Sequence, residues 1–261
     1  MGYKYKVNHE YFDQIDSEYK AYMLGFIYAD GSIIQPKGNR QLRLSIAIQE
    51  EDGYILEKLA KEAAGGQIRI MNPPAVQKRS WKKRCIISIV STKLCSKLIE
   101  YGCNIKKSQV GMKFPNLDNQ LIRHFIRGFL DGDGCITRKK VLYKYIRKTT
   151  QERRGSHEQR YQTRIAFTCT DKVFLQDIEK RLNLTSCSWR QMKRTQIVHT
   201  LWIERVLDFE KTVEYLYKDA NYYLERKFNK TIKSRASGKS EEGLETKGTM
   251  VNLQPPAPTL K

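Results

Sequence analysis

Apolar positions along the chain switch between two periods, and the same succession occurs twice. The first pass begins with the apolar run AYMLGFIYADGSII (21–34). It continues through the alternating stretch RLSIAIQEED (43–52), the helical pattern YILEKLAKEAAG (54–65), the strand-like segments QIRIM (67–71) and RCIISIV (84–90), and the helical pattern TKLCSKLIEYG (92–102). The second pass runs from HFIRGFLDGDGCI (124–136) through RIAFTCTDK (164–172), VFLQDIEKRLNL (173–184), SCSWRQM (186–192) and QIVHTLWI (196–203) to VLDFEKTVEYLYK (206–218). Apolar residues at i, i+3 and i+4 predict helices and strict alternation predicts strands. Each half therefore reads helix, two strands, helix, two strands, helix. The expected class is α+β, built from two pseudo-symmetric αββαββα units. The turn-like stretch MKFPNLDNQ (112–120), with Pro115, separates a first repeat (1–115) from a second (116–230). Residues 231–261 are rich in Ser, Gly, Glu and Pro and read as a flexible tail.

The two opening runs share a spacing that has physical content. Gly25 and Ala29 are four apart, as are Gly128 and Gly132, so each pair shares one helix face. Small residues there allow a second backbone to approach closely. Phe26, Ile27, Phe129 and Leu130 then point into the cores. Gly31 and Gly134 are expected to end the helices in a left-handed conformation. Asp30 and Asp133, 103 residues apart, precede those glycines. A carboxylate at a helix C-terminus opposes the dipole, and two side by side repel. Divalent cations remove both penalties, and oxygen ligands suit Mg²⁺. Two carboxylates at a two-fold-like seam suit attack by water on two phosphodiesters.

Charge changes the picture further. The chain of 261 residues has 48 Lys plus Arg against 28 Asp plus Glu, a net +20. Four segments, 34–50, 67–90, 138–164 and 187–205, carry a net +19. These are the strand and hairpin segments, with Trp81, Tyr143, Tyr145, Tyr161, Trp189 and Trp202 interleaved; Trp202 reads as core. A basic surplus of this kind points to nucleic acid, and a β-ribbon fits the major groove. No apolar run reaches the ~20 residues of a membrane span. The six cysteines form no CxxC pair, and HExxH and GxxxxGK[ST] are absent. An intracellular setting is expected, in cytoplasm, nucleoid or organelle matrix.

Met23–Gly31 and Ile126–Gly134 resemble the nine-residue motif of the LAGLIDADG homing endonucleases, in the single-chain, two-motif branch. The resemblance covers roughly residues 15–230. It implies a monomer whose motif helices meet at the pseudo-two-fold interface and whose saddle-shaped antiparallel sheets straddle the DNA major groove. It also implies an intron-encoded, intron-homing nuclease that cuts both strands with Mg²⁺, Mn²⁺ being a substitute, and leaves short 3′ overhangs. The alternative within the resemblance is a non-cleaving binder, such as a group I intron RNA maturase with intron RNA as partner.

Residue by residue, Asp30 and Asp133 match the metal-binding acids. Tyr28 and Asp131 fill a variable position, and Arg127 is expected on an exposed helix edge. Gln49 resembles the solvent-ordering glutamine of some members; its counterpart falls near Thr168. Lys107 in YGCNIKKSQVGMKFP (101–115) and Lys227 in LYKDANYYLERKFNK (216–230) resemble the basic residues near each site, with Lys106 and Arg226 as close rivals. Candidate DNA readers are Arg40, Arg43, Arg69, Lys82, Lys144, Arg147, Arg164, Arg190 and Lys193. Residues 138–148 and 159–170 are expected as long strands joined by a flexible tip over 149–160.

Overall fold

The structure, a computed structural model, describes residues 6–38, 40–72, 82–146, 155–193 and 196–237. Its centre is a pair of helices, α1 (Glu18–Asp30) and α5 (Asn119–Asp133). Ser17 caps α1 by accepting from the Lys20 N–H. Apart from its ends, α1 is buried almost all round, from Ala21 through Ala29. An apolar helix without a polar face belongs inside, and this one lies between the two halves.

Each motif helix runs directly into a strand: α1 into β1 (Gly31–Ile34), α5 into β5 (Cys135–Ile146). The expected left-handed terminators are not found. Gly31 has φ −75° and ψ 152°, and Gly134 has φ −85° and ψ 169°. Glycine is needed for space instead. A Cβ at Gly31 would lie 2.6 Å from the Ile27 carbonyl oxygen, and one at Gly134 2.5 Å from that of Leu130. The sharp exit from helix to strand leaves no room for a side chain.

The first half continues with β2 (Arg43–Gln49), α2 (Glu57–Ala63), β3 (Arg69–Met71), β4 (Arg84–Val90), α3 (Thr92–Tyr101) and the short α4 (Lys107–Val110). The second continues with β6 (Gly155–Cys169), α6 (Lys172–Leu182), β7 (Ser188–Lys193), β8 (Ile197–Ile203), α7 (Val206–Tyr217) and α8 (Glu225–Ser237). The strand orders are β1-β2-β4-β3 and β5-β6-β8-β7, all neighbours antiparallel. The two sheets thus repeat one topology, as the repeated pattern predicts. Leu44, Ile46 and Ile48 on β2 and Cys85, Ile87 and Ile89 on β4 face the core, while their neighbours face outward.

Three boundaries differ from expectation. Residues 50–56 wind as a 3₁₀ turn before α2, where Gly53 runs so close to β4 that an added Cβ would lie 2.6 Å from the Cys85 Sγ. β6 starts at Gly155, so the tip between the long strands is shorter than 149–160; residues 147–154 lie outside the described ones. α8 continues to Ser237, past the expected end of the unit at 230. Phe228 anchors it, with ring centroids 5.4 Å from Tyr217 and 4.6 Å from Tyr223.

One hydrophobic core joins both halves. At its middle Tyr28, Phe125, Phe129 and Phe174 interlock edge to face or stacked, with Tyr28–Phe125 centroids 5.0 Å apart and Phe129–Phe174 4.9 Å apart. Each such ring contributes roughly 1.5–3 kcal/mol by burial. The six cysteines are free. Among the described residues no helix is long and apolar enough to cross a membrane.

Candidate functional site

The site grows out of how closely α1 and α5 approach. A Cβ on Gly25 would run into the Phe125 carbonyl oxygen and lie 2.9 Å from the Phe129 nitrogen. One on Gly128 would collide with the Tyr22 carbonyl oxygen and lie 2.9 Å from the Phe26 nitrogen. One on Gly132 would overlap the Ala29 methyl and come within 3.4 Å of Asp30 Oδ2. The helices therefore touch backbone to backbone, as the Gly25/Ala29 and Gly128/Gly132 spacing predicts, and their C-terminal carboxylates arrive together.

Asp30 and Asp133 retain solvent contact at this end of the seam, yet protein crowds them from behind. Crowding raises the pKa of Asp30, and the Lys107, Lys227, Arg226 and Arg84 charges counteract it. Asp133 is pushed up to about 6, first by desolvation and then by the Asp30 charge. Two carboxylates in mutual repulsion at two helix C-termini are a structural cost that packing does not require.

Both candidate lysines meet the same seam. Lys107 Nζ donates to the Ile27 and Ala29 carbonyl oxygens at 2.8 and 2.6 Å, closing the end of α1. Lys227 Nζ reaches the carbonyl oxygens of Leu130 (2.8 Å), Asp131 (2.5 Å), Gly132 (3.2 Å) and Gly134 (2.6 Å), closing the end of α5. A cation is favourable at a helix C-terminus. Burial still lowers both ammonium pKa values, that of Lys227 to about 8. Of the rivals, Lys106 is exposed with φ 54°, and Arg226 is ion-paired to Asp52, Nε to Oδ2 at 2.8 Å.

Arg226 also belongs to a groove of about 540 Å³ beside Asp30, lined with Gln49, Asp52, Lys82 and Arg84. Gln49 stands opposite Arg84 in the β2–β4 ladder, and Arg84 donates to the Ala47 carbonyl oxygen at 3.2 Å. Lys82 is held by Glu51 at 2.9 Å. Sequence reasoning missed Arg84 and Asp52. The signal for Arg84 was present, since it opens the alternating strand RCIISIV on the outward phase. Asp52 carried none, because its partner lies 174 residues away.

The second half carries different residues at the positions equivalent to Gln49 and Arg84. In the ladders Ser32 pairs with Ser45, and Cys135 pairs with Ala166. Counting from that equivalence, Ala47 corresponds to Thr168 and Gln49 to Thr170, a correction of two residues. Arg84 likewise corresponds to Val198. Thr168 Oγ1 instead lies 3.3 Å from Thr200 Oγ1.

The candidate DNA readers divide by sheet face. Arg43 and Arg69 lie on the outward phase of the first sheet with Gln49 and Arg84. Arg164 and Arg190 lie on the outward phase of the second, on either side of Trp202, with guanidinium carbons 5.8 and 5.2 Å from its ring. Trp202 is therefore outward-facing, contrary to the core assignment; Trp189 packs on the core in its place. Arg40 is in the exposed loop before β2, and Lys193 ends β7 on the phase of Trp189. Lys144 is on β5 opposite His157. Arg147 and Trp81 lie outside the described residues.

Two motif-helix residues serve the frame. Arg127 is not on an exposed edge but fully buried. It donates to the Leu216 and Tyr222 carbonyl oxygens at 2.7 and 2.8 Å and to the Glu18 carboxylate at 2.7 Å. Asp131, also fully buried, accepts from Tyr22 and Tyr217 hydroxyls (3.0 and 3.2 Å) and from the Leu224 N–H (2.8 Å). These bonds tie the segment leading into α8 to the helix pair.

No protein-family model and no curated protein sequence matches the chain. Solved structures do. The meganuclease I-SmaMI bound to cleaved DNA superposes with a TM-score of 0.53 at 15% identity, covering 90% of this chain and 90% of that one. The LAGLIDADG meganuclease I-AabMI bound to uncleaved DNA gives 0.52 at 15% identity, covering 85% and 90%. The homing endonuclease I-GzeII in complex with its DNA target gives 0.53 at 12%, covering 89% and 90%. The chain has the LAGLIDADG homing-endonuclease fold. In that fold its two motif helices are α1 and α5, and its sheets are the two four-stranded ones described above.

Proposed function

We propose that the protein is a site-specific endonuclease that hydrolyses one phosphodiester in each strand of a long duplex site with Mg²⁺, leaving short 3′ overhangs. The observation that carries this reading is the meeting of Asp30 and Asp133 at one end of the α1–α5 seam, where the fold alone has no use for paired carboxylates. The DNA-bound states of I-SmaMI, I-AabMI and I-GzeII agree with it.

The donor set suits a hard divalent ion. Among the described residues no group of three or more His, Cys, Asp or Glu gathers. Two carboxylates are sufficient for Mg²⁺, which is commonly held by one or two acids together with substrate phosphates. Asp30 and Asp133 would hold it, and when bound it supplies Lewis-acid polarisation and a more acidic water.

The rest is the work of the chain. Lys107 and Lys227 fix the helix ends that carry the acids and place positive charge where phosphate oxygens gain negative charge. On the Asp30 side the Gln49 amide and the Arg84 and Arg226 guanidiniums offer donors along the groove. Outward arginines of both sheets, Arg43, Arg69, Arg164 and Arg190, contact base edges or phosphates in the major groove. The basic sheet faces make binding strongly dependent on salt.

The test is cleavage selection from a randomised duplex library with Mg²⁺, with the Asp30→Asn/Asp133→Asn double variant as control. One long consensus with short 3′ overhangs, absent from the control, is expected. Salt-dependent duplex binding without product, or preference for RNA, contradicts the reading.

A further inference from the structure

The segments that carry the two lysines each bond an acid of the opposite half. Lys107 ends the first half and caps α1 of that half. The turn that carries it is closed by the Gly111 N–H to the Lys107 carbonyl oxygen at 2.9 Å and the Asn104 amide to the Gly111 carbonyl oxygen at 2.9 Å. That turn is seated on Asp171 of the second half. Asp171 Oδ2 accepts the Met112 N–H at 2.9 Å, and a Cβ on Gly111 would lie 2.7 Å from the same oxygen. The other oxygen of Asp171 caps α6 through the Phe174 N–H at 3.1 Å, so the carboxylate is fixed in its own half.

Lys227 shows the reverse. It caps α5 of the second half, but the segment that carries it is seated on the first. Arg226, its neighbour, grips both oxygens of buried Asp52 at 3.1 and 2.8 Å. The Tyr54 hydroxyl donates to the Tyr223 carbonyl oxygen at 3.1 Å and accepts the Glu225 N–H at 2.8 Å. Asp52 and Asp171 both follow the second strand of their half, in loops that correspond to within two residues by strand register. Nothing in local folding demands that a loop acid of each half seat the other half's C-terminal segment. A device that makes each helix end complete only when the halves are docked does.

We infer that Asp52 and Asp171 are crossed positioning residues: Asp171 sets Lys107 at α1, and Asp52, with Tyr54, sets Lys227 at α5. The consequence for cleavage rests on the endonuclease reading, whereas the seating of the lysines does not. Under that reading each acid governs one of the two lysines beside the shared Asp30/Asp133 site.

The experiment uses the full-length protein in two arms. Amine acylation followed by peptide mass spectrometry measures the reactivity of Lys107 and Lys227 in the wild type, Asp52→Asn and Asp171→Asn. The selected duplex, labelled on each strand, then gives nicking rates. Asp52→Asn is expected to raise Lys227 reactivity about tenfold and leave Lys107 unchanged; Asp171→Asn does the reverse. The rate of double-strand cleavage is expected to fall about tenfold in each variant. Asp52→Glu restores Lys227 protection in part, which a general loss of packing would not allow. If Asp52→Asn does not fold, Tyr54→Phe weakens the same seat and is read in the same way. Equal exposure of both lysines, or no change in either, overturns the inference. Selective exposure in a protein that cuts neither strand supports it and overturns the endonuclease reading alone.

Discussion

Lys227 donates from Nζ to the carbonyl oxygen of Gly134 at 2.6 Å, one residue beyond Asp133. The ammonium thus holds the turn on which the carboxylate stands. Lys227→Met removes the donor from the carbonyl oxygens at the end of α5 and leaves them buried. A stability loss of about 1–3 kcal/mol is expected in urea unfolding. Single-turnover cleavage is expected to fall more than duplex affinity; equal losses in both would remove Lys227 from the reacting end.

The seam itself is open to a simple steric test. Gly128→Ala places a methyl against the Tyr22 carbonyl oxygen, and Gly25→Ala places one against that of Phe125. Neither backbone is a flexible end that swings aside. Each substitution is expected to cost about 1–3 kcal/mol or more, read as a lower unfolding midpoint with unchanged slope. Ala at exposed Gly38, which has open space around it but φ 75°, reports backbone strain alone and serves as the comparison.

Buried Arg127 predicts a large loss for a residue expected from the sequence on an exposed helix edge. Arg127→Met leaves the Leu216 and Tyr222 carbonyls and Glu18 without their donor. The expected cost is on the order of 3 kcal/mol, with proteolysis rising first at the segment before α8. A neutral outcome would show that the remaining bonds, Glu18–Asn221 at 2.7 and 2.8 Å and Asp131–Leu224 at 2.8 Å among them, hold that segment without Arg127.

His124 gives a dependence on pH. Burial, then the nearby Arg127 charge, depress its pKa to about 4 from 6.5. Between those values the unfolded chain binds more protons than the folded one, so this group's contribution to stability falls as pH falls from 6.5 toward 4. Asp133, raised to about 6, acts in the opposite sense below that pH. The difference between wild type and His124→Gln isolates the histidine. It is expected to show wild type losing on the order of 1 kcal/mol more per pH unit across that window; parallel curves contradict the assignment.

Much of this was legible along the chain, for local reasons. Alternation and helical period report which face is buried, so β4 and α7 emerge nearly residue for residue. Gly25, Ala29, Gly128 and Gly132 announce a close helix pair because only small residues permit one. Asp30 and Asp133 stand out because a carboxylate is disfavoured where they sit. What could not be read depends on partners distant in sequence. Arg127 looks like a surface residue until Glu18 and the 216–222 backbone surround it. Asp52 becomes a seat only when Arg226 arrives from the other end of the chain. Gly31 and Gly134 look like left-handed terminators, whereas their glycine answers crowding at a helix-to-strand exit. Trp202 alternates outward between buried Leu201 and Ile203, and the two arginines beside it come from neighbouring strands.

The central claim is that Asp30 and Asp133 form one site serving both strands. Its most direct measurement is strand-resolved cleavage of the selected duplex with Mg²⁺ by wild type, Asp30→Asn and Asp133→Asn, with affinity measured in parallel. The expected result is a double-strand break from wild type alone, with both variants binding the duplex as tightly as wild type and neither severing both strands. Full double-strand cutting by both single variants would contradict it.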